Sequence, residues 1–265
     1  MRHARDPGFT LTELLIAVAI IAVLAAIAVP NLLAAKLASN ETSAIATLRA
    51  LASSQAQVQG VGRIDVDNDS VGEYGTFVEL VGEAGIRTRL RAGTGSLDPG
   101  ADFGTQGPVL NPPGFSPDMI SYMEDSGHLV KNGYAFMVFL PDASDTATWV
   151  HETMRLVTRS RGRSRRTVEQ VRLRNPLGGT TRIGIDLSES LWCAYGHPVS
   201  RGRSGNRVFF TNQQGDLLQS ANDVAKHQGQ TSVIAPNSVF LGEGITSAVA
   251  VGTAGADGDV WKVTN

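Results

Sequence analysis

The chain has 265 residues, of which 42% are hydrophobic, 18% are charged and 6% are aromatic, and its formal net charge is −2. This composition argues against a globally disordered chain and against a wholesale nucleic-acid-binding protein. The single cysteine, Cys193, excludes an intrachain disulfide framework. Residues 1–154 contain 9 basic and 17 acidic residues, residues 155–207 contain 12 and 3, and residues 208–265 contain 2 and 5. The chain is therefore acidic with one basic insert.

The first notable element is an uninterrupted apolar run, Leu14–Val29, which is followed by Pro30. A helix over Phe9–Val29 would be about 32 Å long, which matches the roughly 30 Å hydrocarbon core of a bilayer. Such a span includes Glu13, and a carboxylate inside a bilayer costs about 2.5–3.5 kcal/mol. Three interpretations are open: a secretory signal peptide cleaved after Ala28, an ordinary signal anchor, or a segment in which Glu13 has a specific role.

The residues around Glu13 carry a family resemblance. The sequence GFTLTE at residues 8–13, followed by the apolar run and Pro30, closely resembles the signal of type IV pilins and type II secretion pseudopilins. The resemblance implies that a prepilin peptidase cleaves after Gly8 and methylates the new amino terminus at Phe9. It also implies that Glu13 is the family's acidic position and that Pro30 kinks the helix. A neighbouring subunit's Phe9 amine would then neutralise the Glu13 carboxylate during assembly.

The chain beyond Pro30 is predicted to continue as an amphipathic helix to Gln59, ended by Gly60 and Gly62. Its apolar positions fall near one face: Leu33, Leu37, Ile45, Leu48, Leu51 and Val58. We therefore divide the chain into a leader (residues 1–8), a transmembrane or filament-core helix (9–30), the amphipathic continuation of that helix (31–60) and a β-rich extracytoplasmic head (61–265).

Short strand-like runs separated by Gly and Pro follow this helix, with a long loop expected at residues 93–118. Turns are predicted at residues 213–216 and 256–259. The predicted fold class is α+β, with the long amino-terminal helix packed on an antiparallel sheet. That agrees with the lollipop shape that the pilin resemblance implies. The predicted strands are Gly133–Leu140, Ile183–Leu187, Leu191–Tyr195, Arg207–Thr211, Thr246–Val251 and Val260–Val263.

An acidic segment at residues 65–73 is a candidate metal site. Asp65, Asp67 and Asp69 alternate, and Glu73 stands at the ninth position of the run. This spacing suits oxygen ligation of Ca²⁺. However, Ser70 stands where the turn of a calcium loop favours glycine. The alternative is a solvated Asp/Asn turn after the helix.

The basic insert, residues 155–174, contains eight arginines and one acid, Glu169. It is predicted to be an exposed loop or hairpin whose charge is solvated. The functional alternatives are contact with the acidic face of the next subunit, which we favour, or binding of DNA or of a surface through phosphates. The candidate contact residues are Arg159, Arg161, Arg163, Arg165 and Arg166.

Catalytic motifs are missing from the sequence. His151 and Glu152 are followed by Arg155 where a zinc protease helix requires histidine, and Cys193 lies in an aromatic, strand-like stretch typical of a buried position. We therefore expect no enzyme. The leading hypothesis is a structural subunit of a secretion pseudopilus or type IV pilus, anchored by one span in the inner membrane. Its expected partners are other pilin subunits, the prepilin peptidase and the inner-membrane assembly platform, and nucleic acid is not expected. The alternative is a membrane-tethered or secreted binding module for calcium, DNA or a surface polymer.

Overall fold

The fold consists of one long helix and a β-rich head. The computed structural model describes residues 9–87, 107–143, 149–161, 163–174, 176, 183–242, 244 and 247–264, and only the backbone of residues 154–171. The helices are α1 (Leu11–Gly60), α2 (Phe77–Leu80) and α3 (Ile185–Ser188), with a 3₁₀ helix at Pro117–Tyr122. The strands are β1 (Leu129–Lys131), β2 (Tyr134–Pro141), β3 (Trp149–Arg161), β4 (Arg163–Arg174), β5 (Cys193–Pro198), β6 (Val208–Asn212), β7 (Leu217–Ser220) and β8 (Trp261–Val263).

Helix α1 has two differently exposed halves. It continues through Pro30, and its first buried residue is Glu41. From there one face is buried against the head through Ala44, Leu48, Leu51 and Val58, as the apolar spacing predicts. Leu33 was expected on that packed face but is exposed, because the head does not reach that far along the helix.

All strand pairs in the sheet are antiparallel within the described residues. The strand order is β4-β3-β2-β5-β6-β7-β8, and β1 pairs with the first half of β2. Helix α1 packs on one face over a core that includes Leu48, Leu51, Phe136 and Phe209. The opposite face is covered by residues 234–240 and has its own aromatic core, which includes Trp149, Tyr195, Phe210 and Trp261. The predicted α+β, pilin-like architecture is confirmed.

The head has an inner end, where α1 leaves it, and an outer end, near the carboxyl terminus of α1. At the inner end, Asn132 just before β2 donates from Nδ2 to Ser43 Oγ at 2.6 Å. At the outer end, Gln59 Nε2 donates to the Glu189 carbonyl oxygen at 3.3 Å, just after α3. The amide of Gly184, which precedes α3, donates to the Pro141 carbonyl at the end of β2. Strand β2 therefore runs beside α1 from the inner to the outer end.

Two predicted strands are wrong. Ile183 makes one bridge with Asp142, and the chain then turns into α3, because Ser188 N–H bonds back to the Gly184 carbonyl. The Thr246–Val251 segment contributes one bridge, between Val249 and Phe240, and no strand within its described residues. The predicted turns at residues 213–216 and 256–259 are confirmed, with Gly215 and Gly258 at positive φ. Residues 93–106 of the predicted loop lie outside the described part of the chain.

Candidate functional site

The amino terminus of α1 is closed by a reciprocal capping box. Thr10 has extended backbone angles, and its Oγ1 accepts the Glu13 amide at 3.2 Å. In return, Glu13 Oε2 accepts the Thr10 amide at 2.9 Å and the Thr10 hydroxyl at 2.7 Å. The hydrogen bonds of the Glu13 carboxylate to Thr10 thus use a single oxygen. Glu13 lies at the exposed start of the helix, and its other oxygen, Oε1, takes no part in these bonds.

The apolar half of α1 is uncovered by its own head. Phe9 is 80% exposed and Leu11 81%, and the large apolar side chains continue exposed to Leu33. The helix is long and apolar enough to cross a membrane, and its most apolar window is entirely exposed. Pro30 lies inside this exposed half, whereas Gly8 lies outside the described residues. Because exposed apolar surface of this extent is unfavourable in water, the segment requires a bilayer or other helices around it.

The acidic loop that follows α1 takes part in two groups of three carboxylate side chains each. One carboxylate oxygen from each of Asp65, Asp67 and Asp69 lies within 4.8 Å of the other two. Asp67 belongs to a second group with the same spacing, together with Asp186 and Glu189. We call these five residues the acidic cluster. Its last two members, Asp186 and Glu189, are more than 110 residues away in sequence from the other three. The sequence did not predict them, because they lie in and just after α3, where a strand was expected.

The aspartates also organise their own loop. Asp65 accepts the amides of Asn68 at 2.7 Å and Ser70 at 3.2 Å, and Asp69 accepts the amide of Val71 at 2.7 Å. Asn68 and Ser70 both have positive φ angles, of 63° and 77°. These bonds are those of an Asp/Asn turn, which was the alternative to a metal site. Both oxygens of Asp65 take part in these bonds, whereas the bonds of Asp67 and Asp69 to the loop use only Oδ1 of each. The Oδ2 atoms of Asp67 and Asp69, with the carboxylates of Asp186 and Glu189, are the hard oxygen donors that Ca²⁺ prefers.

Glu73, the fourth predicted ligand, lies apart from this cluster. It is buried, and its Oε1 accepts the Val66 amide at 2.8 Å. Burial raises the pKa of its carboxyl to about 7. Glu73 belongs to neither carboxylate group, because the turn directs it inward to stabilise the backbone at Val66. The candidate ligand set is therefore corrected: Glu73 is removed, and Asp186 and Glu189 join the three aspartates of the loop.

The basic insert forms the β3–β4 hairpin, as the sequence predicted. Its register pairs Arg159 with Arg165 and Arg161 with Arg163, while Arg166 pairs with Thr158. The register shifts by one residue between Arg155 and Leu156. The side chains of these five candidate arginines lie outside the described part of the structure, so their placement here is that of the backbone. Cys193, by contrast, is buried as expected.

Comparison with known proteins identifies the amino-terminal segment. The family model described as a prokaryotic N-terminal methylation motif matches residues 4–29. The type IV wide pilus major component PilA4 of Thermus thermophilus is 47% identical over 70 residues, which are 26% of this chain and 47% of that protein. The type IV major pilin protein PilA of Myxococcus xanthus is 37% identical over 101 residues, which are 38% of this chain and 45% of that protein.

The similarity is therefore partial in extent. The chain spans less than half the length of these two relatives. No solved structure matches the chain. The matched motif covers the residues that carry the resemblance, with Phe9, Glu13 and most of the exposed apolar run inside it. The chain thus has the amino-terminal methylation motif of the prepilin family, and its predicted resemblance to type IV pilins is confirmed.

Proposed function

We propose that this protein is a structural subunit of a type IV filament, either a type IV pilus or a type II secretion pseudopilus. The observation that carries this proposal is the exposed apolar segment from Phe9 to Leu33, most of which lies inside the methylation motif at residues 4–29. A filament core made of such helices covers the apolar surface that the head leaves bare. The relatives support a structural and non-enzymatic role, since both are named as pilus components.

Processing is the first step of this proposal. A prepilin peptidase removes residues 1–8 by cleavage after Gly8 and methylates Phe9. Mass spectrometry of the mature amino terminus tests this directly, with an N-methylated Phe9 as the expected result. A terminus at Val29 would indicate a secretory signal peptide, and would replace the filament by the alternative of a secreted binding module for calcium, DNA or a surface polymer.

The membrane arrangement follows from the same segment. Residues 9–30 span the inner membrane once before assembly and form the filament core afterwards. Residues 31–60 connect this span to the head, residues 61–265, which lies on the extracytoplasmic side. The proposed partners are identical or related pilin subunits, the peptidase and the inner-membrane assembly platform. Protease protection of the head in spheroplasts would contradict this orientation.

Glu13 is proposed to select the position of the next subunit. Its carboxylate receives the amino group of a neighbour's Phe9, and this contact can use Oε1 without breaking the capping box, because the bonds to Thr10 use Oε2. We expect Glu13→Ala to be cleaved normally but to lower filament yield by at least tenfold, because an unpaired charge in an apolar core costs about 3–5 kcal/mol.

Two further variants separate the charge of Glu13 from its capping role. Glu13→Gln keeps an oxygen acceptor for the Thr10 amide but removes the charge, whereas Thr10→Val weakens the cap and keeps the charge. Sheared filaments should be lost in the first variant and largely retained in the second. A normal yield of filaments from Glu13→Gln would contradict the proposed ion pair between Glu13 and a neighbour's Phe9 amine.

We also propose that the acidic cluster binds Ca²⁺, with Asp67 as the ligand that both carboxylate groups share. Each of the two groups places three carboxylate oxygens within 4.8 Å of one another, and calcium accepts six to eight oxygen ligands. Millimolar calcium should raise the melting temperature of the protein, and Asp67→Ala should abolish the shift. Asp216→Ala, at the exposed β6–β7 turn, is the matched control. No shift in the unmodified protein would reject the site.

A further inference from the structure

The β3–β4 hairpin leaves the sheet as a two-stranded ribbon. Strand β3 has 13 residues, but only Trp149 and Val150 pair with β2, and β4 pairs with β3 alone. A 13-residue strand spans about 43 Å, compared with about 26 Å for the eight residues of β2. The greater part of the ribbon is thus held by its own two strands.

The register of the ribbon segregates its charge. Opposite residues of an antiparallel pair share a face, and successive residues alternate between faces. The one-residue register shift lets the same face continue along both strands. Seven of the eight arginines therefore occupy register positions on one face: Arg155, Arg159, Arg161, Arg163, Arg165, Arg172 and Arg174. Arg166 alone falls on the other face.

The base of the ribbon, where side chains are described, supports this division. Arg172 and Arg174 are exposed. On the other face, Leu173 packs against the main core and its register partner Glu152 is buried. We call the seven-arginine side of the ribbon the arginine face.

The tip of the ribbon and the acidic cluster lie toward opposite ends of the head. The cluster lies at the outer end, where Gln59 contacts Glu189. Strand β3 starts at that end, beside Pro141, and runs antiparallel to β2, so the ribbon is directed back toward the inner end. A subunit placed further along a filament can therefore present its ribbon to the outer end of the subunit before it.

We infer that the arginine face of the β3–β4 ribbon binds the acidic cluster of a second copy of this chain. The inference rests on the proposed filament, in which all subunits have the same orientation. The contact joins two different surfaces, so it is heterologous and repeats along an assembly that does not close. It would add a contact between heads to the packing of the α1 helices.

Charge complementarity favours a second copy over nucleic acid as the occupant. Residues 1–154 and 208–265 contain 11 basic and 22 acidic residues, so the body of the protein repels a polyanion. The ribbon pairs arginine directly with arginine at two positions, which is unfavourable in a sheet unless negative charge is supplied. Residues 155–174 also contain no aromatic side chain for base stacking.

Cysteine cross-linking in filaments tests the contact. Arg161→Cys places a thiol at the tip of the ribbon, and Asp186→Cys places one in the exposed part of the cluster. The native Cys193 is buried and does not interfere. Filaments of the double variant, oxidised in EDTA to remove the proposed calcium, should give a ladder of disulfide-linked oligomers. Arg161→Cys with Lys262→Cys, on the opposite edge of the sheet, should give none.

Charge reversal provides an independent readout. Arg159→Glu with Arg165→Glu should lower the yield of sheared filaments by about tenfold, because like charges would then face each other across the interface. Arg166→Glu, on the other face of the same ribbon, is the matched control and should change the yield less than twofold. Asp69→Arg with Asp186→Arg in the charge-reversed background should restore the filaments.

The outcomes separate this inference from the proposed function. Filaments that form without cross-links and tolerate the charge reversal would overturn the ribbon contact while leaving the filament intact. An unmodified protein that makes no filaments would contradict the proposed function itself. Filaments that tolerate the reversal but lose retention of double-stranded DNA would assign the arginine face to nucleic acid, which also overturns the inference.

Discussion

Glu152 is a buried acid whose replacement should stabilise the protein. It lies near the start of β3, where its Oε2 accepts the Val78 amide at 3.3 Å. Its Oε1 is buried and has no hydrogen-bond partner among the described residues. Burial, with a smaller contribution from the neighbouring Glu79, raises the pKa of the Glu152 carboxyl to about 8. The side chain is therefore protonated and neutral in the folded protein at pH 7.

This pKa shift sets the sign and the size of the prediction. The unfolded carboxyl has a pKa of 4.5, so it ionises between pH 4.5 and 8 while the folded one retains its proton. The contribution of Glu152 to the free energy of unfolding is therefore complete below pH 4.5 and decreases as the pH rises toward 8. At 1.36 kcal/mol per pKa unit, the loss at pH 7 is about 3 kcal/mol. Glu152→Gln should recover much of this free energy at pH 7 and none at pH 4.5, because glutamine is neutral in both states.

Denaturant unfolding of the full chain in detergent micelles measures this difference. Trp149, Trp192 and Trp261 are all buried in the head, so tryptophan fluorescence reports its unfolding. The free energy of unfolding should be compared at pH 4.5, 6 and 7.5 for the parent and for Glu152→Gln, with Asp216→Asn as an exposed control. An equal effect of the substitution at all three pH values would refute the buried-acid argument, since only a titrating group makes the difference depend on pH.

Two further predictions use the same measurement. His128 and His197 lie edge to face, with ring centroids 5.8 Å apart, and burial lowers their pKa values to about 4 and about 3. Both stay neutral in the folded protein, so the free energy of unfolding should decrease as the pH is lowered below 6.5. His197→Gln should reduce the slope of this free energy against pH by about 1.36 kcal/mol per pH unit, and an unchanged slope would contradict the lowered pKa of His197. Glu41→Ala should lower the unfolding free energy by about 2–3 kcal/mol, because it removes a part-buried ion pair with Arg207 at 2.7 Å and the acceptor for two backbone amides. Thr42→Ala, which removes an exposed hydroxyl that donates to the Ala38 carbonyl one turn earlier in α1, is the control for that substitution and should cost little.

The parts of this protein that were predictable from sequence are those with local signals. The apolar run and its cap sit within a few residues of one another, so the long helix follows from its own sequence. Strand β2 was also predicted, because an unbroken apolar run of its length is typical of a strand covered on both faces. Both of its faces are indeed covered, by α1 on one side and by residues 234–240 on the other.

The remaining elements depend on contacts that sequence spacing does not encode. Strands β1 and β7 are three and four residues long and are defined by their pairing with β2 and β6. The composition of the acidic cluster depends on α3 reaching the loop after α1, which is a long-range contact. Glu73 is the opposite case. Its spacing in the sequence predicts a metal ligand, but its position in the turn directs its side chain into the core.

The polar contacts between α1 and the head explain how one helix can serve both the filament core and the head surface. Gln55 is buried and makes paired hydrogen bonds with the backbone of Gly75, at 2.7 and 2.9 Å. Glu41 holds the start of β6 at the inner end, and Gln59 holds α3 at the outer end. Buried polar contacts of this kind have one favourable geometry, unlike apolar packing, which tolerates sliding. The head is therefore fixed in rotation and in height on α1, so the packing of α1 in a filament also sets where each ribbon meets its neighbour.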